Sequence, residues 1–116
     1  MTARLYPTYA EIRARRIAER RQQASVALAA AEAIVHRAGG RLVVFGSLVE
    51  GGFGEHSDID VAILGISPDR DLDIAAEVDT AIGLAGFTAD VIPERFLKGS
   101  LRERVSRVGR EPSALD

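Results

Sequence analysis

Leu42-Val43-Val44-Phe45-Gly46-Ser47, ten intervening residues, and then Asp58-Ile59-Asp60-Val61-Ala62-Ile63-Leu64 form the stretch that decides the fold. Arg41 to Phe45 is a short β-branched and aromatic run, which predicts a buried strand. Residues 46–57 carry glycine at 46, 51, 52 and 54 and read as a loop. Ser57 to Leu64 reads as a second strand. Side chains alternate along a strand, so Asp58 and Asp60 share one face, while Ile59, Val61 and Ile63 take the other and can be buried. Two neighbouring carboxylates repel, and each raises the pKa of the other. A divalent cation with oxygen ligands is the usual reason for keeping such a pair. An isolated Asp-x-Asp at a solvated strand end needs no such reason; here the preceding strand and Gly-Ser make the pattern more specific. Glycine lets backbone approach a ligand closely. Ser47 offers a hydroxyl and an N–H at the start of a turn, an arrangement that suits phosphate.

The pattern extends outward on both sides. Downstream, Ser67-Pro68 predicts a helix start, with Leu72, Ala75, Ala76, Val78 and Ile82 before Gly83. Phe87 to Ile92 predicts a third strand in which Thr88, Asp90 and Ile92 share a face. Asp90 interrupts an apolar strand, so it is either solvated at an edge or partnered. If the second and third strands are neighbours, Asp90 joins Asp58 and Asp60. Three carboxylates can hold two Mg²⁺ or Mn²⁺ ions, which serve phosphoryl or nucleotidyl transfer. Pro93 predicts the start of a last helix bearing Leu97, Leu101, Val105 and Val108, ended by Gly109, with residues 110–116 frayed. Upstream, Thr8 and Glu11 form a capping-box pattern. The helix they open runs to Ala38 and is stopped by Gly39-Gly40. Its first half, residues 8–23, is Arg-rich and reads as projecting or partner-facing. Its second half carries Ala27, Ala31, Ile34, Val35 and Ala38 at core spacing.

Composition bounds the function. The 116 residues predict a single α/β domain over residues 1–116, with a small mixed sheet and helices packed mainly on one side. There is no cysteine, which excludes disulfides, zinc–thiolate sites and a thiol nucleophile. No signal peptide or membrane-length apolar run is visible, so a cytoplasmic location is expected. The net charge of −2 does not call for nucleic acid. Basic residues cluster at Arg4, Arg13, Arg15, Arg16, Arg20 and Arg21, but no aromatic platform or groove-reading motif accompanies them. His56 reads as a solvated loop residue and His36 as a favourable helix C-terminal one.

Val43-Val44-Phe45-Gly46-Ser47, Ser57-Asp58-Ile59-Asp60-Val61 and Asp90 together resemble the nucleotidyltransferase fold of the DNA polymerase beta superfamily, and more narrowly the minimal nucleotidyltransferases (MNT proteins). The resemblance covers roughly residues 24–109. It implies that Asp58 and Asp60 bind both metals. Asp90 binds the catalytic metal and helps deprotonate the acceptor hydroxyl. Gly46, Ser47 and Ser57 contact the nucleotide, with ATP as substrate. Many such proteins are encoded beside a HEPN-domain toxin, and several transfer AMP to it as the antitoxin. A HEPN-type partner is therefore implied, with a homodimer possible. The alternatives are a catalytically weak binding module that neutralises its partner by contact, and a dimeric antibiotic nucleotidyltransferase. Family members commonly carry Arg three residues after the Ser. Here Glu50 stands there, and no Lys or Arg lies between Arg41 and Arg70. Charge on the triphosphate would then be met by Mg²⁺, backbone N–H groups, and Arg from elsewhere or from a partner.

Overall fold

The computed structural model describes residues 6–115, so Arg4 of the basic cluster lies outside the described residues. Helix α1 (Tyr9–Arg37) opens with a reciprocal capping box: Glu11 N–H donates to Thr8 Oγ1 at 3.1 Å, and Thr8 N–H donates to the Glu11 carboxylate at 3.2 Å. Its buried residues are Ala24, Ala27, Leu28, Ala31 and Val35. The Arg-rich half, residues 8–23, does not project as a whole. Arg20 donates through Nη2 to Gly86 O at 3.1 Å and stacks over Phe87, 3.7 Å from the ring centroid. Arg21 donates through Nη2 to Leu48 O at 3.5 Å, while Arg13, Arg15 and Arg16 are exposed. The molecule measures 63 Å along its longest axis. Tyr6 and Tyr9 are also exposed.

Strands β1 (Arg41–Phe45), β2 (Ile59–Leu64) and β3 (Ala89–Pro93) form one mixed sheet in the order β1-β2-β3. β1 is antiparallel to β2, and β2 is parallel to β3. The crossover from β2 to β3 runs through α3 (Asp71–Leu84). Helices α1 and α3 cover one face, where Leu42, Val44, Ile59, Val61 and Ile63 meet Leu28, Val35, Val78 and Ile82 in the larger core. Leu97, with Leu101 and Val105 of the shorter α4 (Gly99–Val108), covers part of the other face against Val43, Phe45 and Ala62.

Several local expectations are corrected. Residues 46–57 are not loop throughout: Ser47–Glu50 forms a one-turn helix, α2, closed by Glu50 N–H to Gly46 O at 2.8 Å and Gly51 N–H to Ser47 O at 3.0 Å. β2 begins at Ile59, so Ser57 and Asp58 precede it. Pro68 lies in a turn ahead of α3, with Arg70 N–H on Ser67 O at 3.0 Å. The helix begins instead at Asp71, a buried carboxylate that Arg95 grips through Nε at 2.7 Å and Nη2 at 3.1 Å. Pro93 ends β3, and a 3₁₀ turn (Glu94–Phe96) intervenes before α4. Of residues 110–116, expected to fray, Asp116 lies outside the described residues and the others are held in place. Arg110 exchanges backbone hydrogen bonds with Val44 at 2.7 and 2.9 Å, and Leu115 packs on the larger core. The open backbone edge of β1 and an apolar side chain thus hold a segment that looks unstructured by composition.

Candidate active site

Register assembles the site. Phe45 pairs with Asp60, and Asp60 pairs with Asp90, so these three side chains stand in one row across the sheet. The row lies on the α4 face, because Phe45 and Ala62 pack with α4 while Ile59 and Val61 pack under α1 and α3. Asp60 is half-buried; Asp58, just ahead of β2, and Asp90, on the outer strand, are exposed. Burial pushes the Asp60 carboxyl above its ordinary value, and the charges of Asp90, Asp58 and Glu50 add to the rise, opposed by Arg104. The three predicted aspartates therefore sit within electrostatic reach of one another at one end of the sheet.

Gly46 explains the Gly-Ser pair. Its backbone has φ 75° and ψ −154°, a region essentially restricted to glycine. A Cβ built there would fall 2.1 Å from Asp60 Oδ2. Glycine thus serves twice: it turns the chain from β1 into α2, and it leaves room for the carboxylate of Asp60 against the backbone. Ser47 follows as the first residue of α2 and is half-buried. Ser57 holds the loop before β2, its Oγ accepting from Gly54 N–H at 2.8 Å. Phe53 is buried against Phe87, with ring centroids 6.3 Å apart, so it is a core residue.

The sequence reading missed Arg104. From α4 its guanidinium reaches Glu50, with Nε 2.9 Å from Oε2 and Nη2 on the same oxygen. It also lies 5.8 Å from the centroid of Phe45. The Arg104 hydrogen bond holds the Glu50 carboxyl below its usual value. The cation that the glycine loop lacks is thus supplied by a residue 54 positions away in sequence.

The nucleotidyltransferase domain family matches residues 29–109, which span the whole sheet and its carboxylates. The chain belongs to this family. A solved structure assigned provisionally as a minimal nucleotidyltransferase is similar to it, with 30% identity and a TM-score of 0.59 over 92% of this chain and 98% of the other. No curated protein matches the chain significantly. No helix among the described residues is long and apolar enough to cross a membrane.

Nucleotidyltransferases characteristically work with a divalent metal and a nucleoside triphosphate, and the residues here fit such an ion in kind. They offer hard oxygen donors, and the Asp60 carboxyl, raised first by burial and then by the charges of Asp90, Asp58 and Glu50, is one whose charged form a cation would favour. Among the described residues no three such side chains are gathered closely enough to hold an ion as they stand. Loading therefore requires the exposed Asp58 and Asp90 to turn toward Asp60.

Removing the part-buried charge of Asp60, which burial and the neighbouring acids both penalise, should stabilise the metal-free protein. A carboxyl whose folded pKa is raised carries its full penalty above that folded value and loses the penalty as pH falls toward the unfolded one, 3.8. Asp60→Asn should raise Tm at pH 7 in the absence of metal. The gain should shrink on acidification and vanish below the unfolded pKa. Thermal unfolding across pH checks both its sign and its window.

Proposed function

We propose that this nucleotidyltransferase transfers AMP from ATP to a hydroxyl of a partner protein, as the antitoxin of a HEPN-type toxin. The observation that carries the transfer chemistry is the row of Asp60 and Asp90 beside Gly46, where only glycine leaves room for the Asp60 carboxylate. Mg²⁺ held by Asp58, Asp60 and Asp90 would neutralise phosphate charge when bound. Gly46 and Ser47 present backbone and hydroxyl donors to the triphosphate. Asp90, exposed on the outer strand, accepts the proton of the acceptor hydroxyl as its oxygen bonds to the α-phosphorus. The bond from the α-phosphorus to the bridging oxygen breaks, and pyrophosphate leaves.

Acceptor recognition needs surface that the small catalytic end lacks. The α1 stretch before Arg20, with Arg13, Arg15 and Arg16 exposed, is the surface we assign to the partner. A binding module that neutralises its partner by contact is the competing reading, and the observation that favours it is Glu50 at the family's Arg position. Intact-mass analysis of the partner after incubation with this protein, ATP and Mg²⁺ separates the two. Transfer predicts the gain of one or more adenylyl groups. An unchanged partner mass together with a stable complex would establish contact inhibition instead.

A further inference from the structure

A triphosphate brings several negative charges to a site that already holds Asp58, Asp60, Asp90 and Glu50, in a segment with no Lys or Arg between Arg41 and Arg70. The fold answers with α4. Arg104 leans over Phe45, the side chain that pairs with Asp60 across β1 and β2. Two of its N–H groups converge on a single oxygen of Glu50. The Arg104 side chain is 44% exposed, and among the described residues no other acid has an ion pair with it. A guanidinium has five donors in a planar fork, so the carboxylate it holds through two of them can be exchanged for the oxygens of a phosphate. An exposed pair of this kind adds little to stability, which leaves its place beside the carboxylates to be explained by something other than folding. Glu50 follows Gly46 and Ser47 by one helical turn, so its carboxylate stands where the loop would otherwise offer its surface to an anion.

We propose that Arg104 is the phosphate-binding cation of this site, and that Glu50 is a positioning residue that holds its guanidinium over Phe45 until nucleotide phosphate takes the place of the carboxylate. The proposal rests on the reading of the site as a nucleotide site, and it does not depend on the identity of the acceptor. It also accounts for acid at position 50: the cation arrives from α4, and the acid at the loop receives it.

Calorimetric titration of Mg·ATP and of Mg·tripolyphosphate into wild type, Arg104→Ala, Arg104→Lys and Glu50→Gln tests the proposal. Arg104→Ala should weaken both ligands by about tenfold, because a charge-assisted contact to phosphate is lost. Arg104→Lys should recover part of that loss, as a point charge without the fork. Glu50→Gln should tighten both ligands by about threefold, since phosphate no longer displaces a carboxylate. Melting curves should show all four proteins folded. Equal dissociation constants for wild type and Arg104→Ala, or a loss confined to ATP, would overturn the assignment of Arg104 to phosphate. Unchanged or weakened binding in Glu50→Gln would overturn the role given to Glu50. Wild type that binds neither ligand would remove the nucleotide site itself, a failure distinct from the other two.

Discussion

Gly46→Ala should fold, be less stable than wild type by about 2 kcal/mol, and lose Mg·ATP binding. Two effects act at this one position. The backbone conformation, φ 75° and ψ −154°, is one that a Cβ opposes. The new methyl also meets the Asp60 carboxylate, whose Oδ2 lies 2.1 Å from the built Cβ and whose own Cβ lies 3.2 Å from it. The carboxylate is the terminal part of a short side chain, so it can turn away and let the chain fold. Turning away takes it out of the row with Asp90. Urea denaturation gives the stability change, and calorimetry gives the binding. A Gly46→Ala protein that is destabilised but binds Mg·ATP as wild type does would show that Asp60 need not occupy its observed place.

The second large effect concerns the carboxylates. Asp60→Ala should reduce adenylyl transfer to the partner by at least about 10³-fold, roughly 4 kcal/mol of transition-state stabilisation. Asp58→Ala should approach the same loss. Asp58 is exposed, and Asp60 is only partly buried and belongs to neither apolar core, so neither change empties the core. Timed intact-mass measurements compare the rates, and circular dichroism confirms the fold. Residual transfer within tenfold of wild type in Asp60→Ala would place the chemistry elsewhere.

The strands and the phase of their faces were legible because each carries β-branched residues on one face and either acid or apolar residues on the other. Ile59, Val61 and Ile63 against Asp60 is the clearest case. The capping box of Thr8 and Glu11 was equally readable, since both partners lie within one turn. What the sequence concealed depends on contacts between distant segments. Pro68 looked like a helix start, yet the helix begins at Asp71, where Arg95 from beyond β3 supplies a partner for a buried carboxylate. Residues 110–115 looked frayed because their order comes from the edge of β1. Arg104 was hidden for the same kind of reason. It precedes Val105 on α4 and flanks that helix's apolar stripe, a place where Arg ordinarily meets solvent. Only the packing of α4 on the same sheet face as Asp60 turns it toward the site.

The proposed transfer requires Asp58, Asp60 and Asp90 together to hold a divalent ion with a nucleotide. Titration of the protein with Mn²⁺, with free Mn²⁺ followed by electron paramagnetic resonance, tests it most directly. Wild type should bind Mn²⁺ weakly alone and more tightly with ATP, because phosphate oxygens complete the coordination shell. The Asp58→Ala/Asp60→Ala protein should add nothing to the Mn²⁺ that ATP binds by itself. Equal uptake of Mn²⁺ by wild type and the double variant in the presence of ATP would contradict the account.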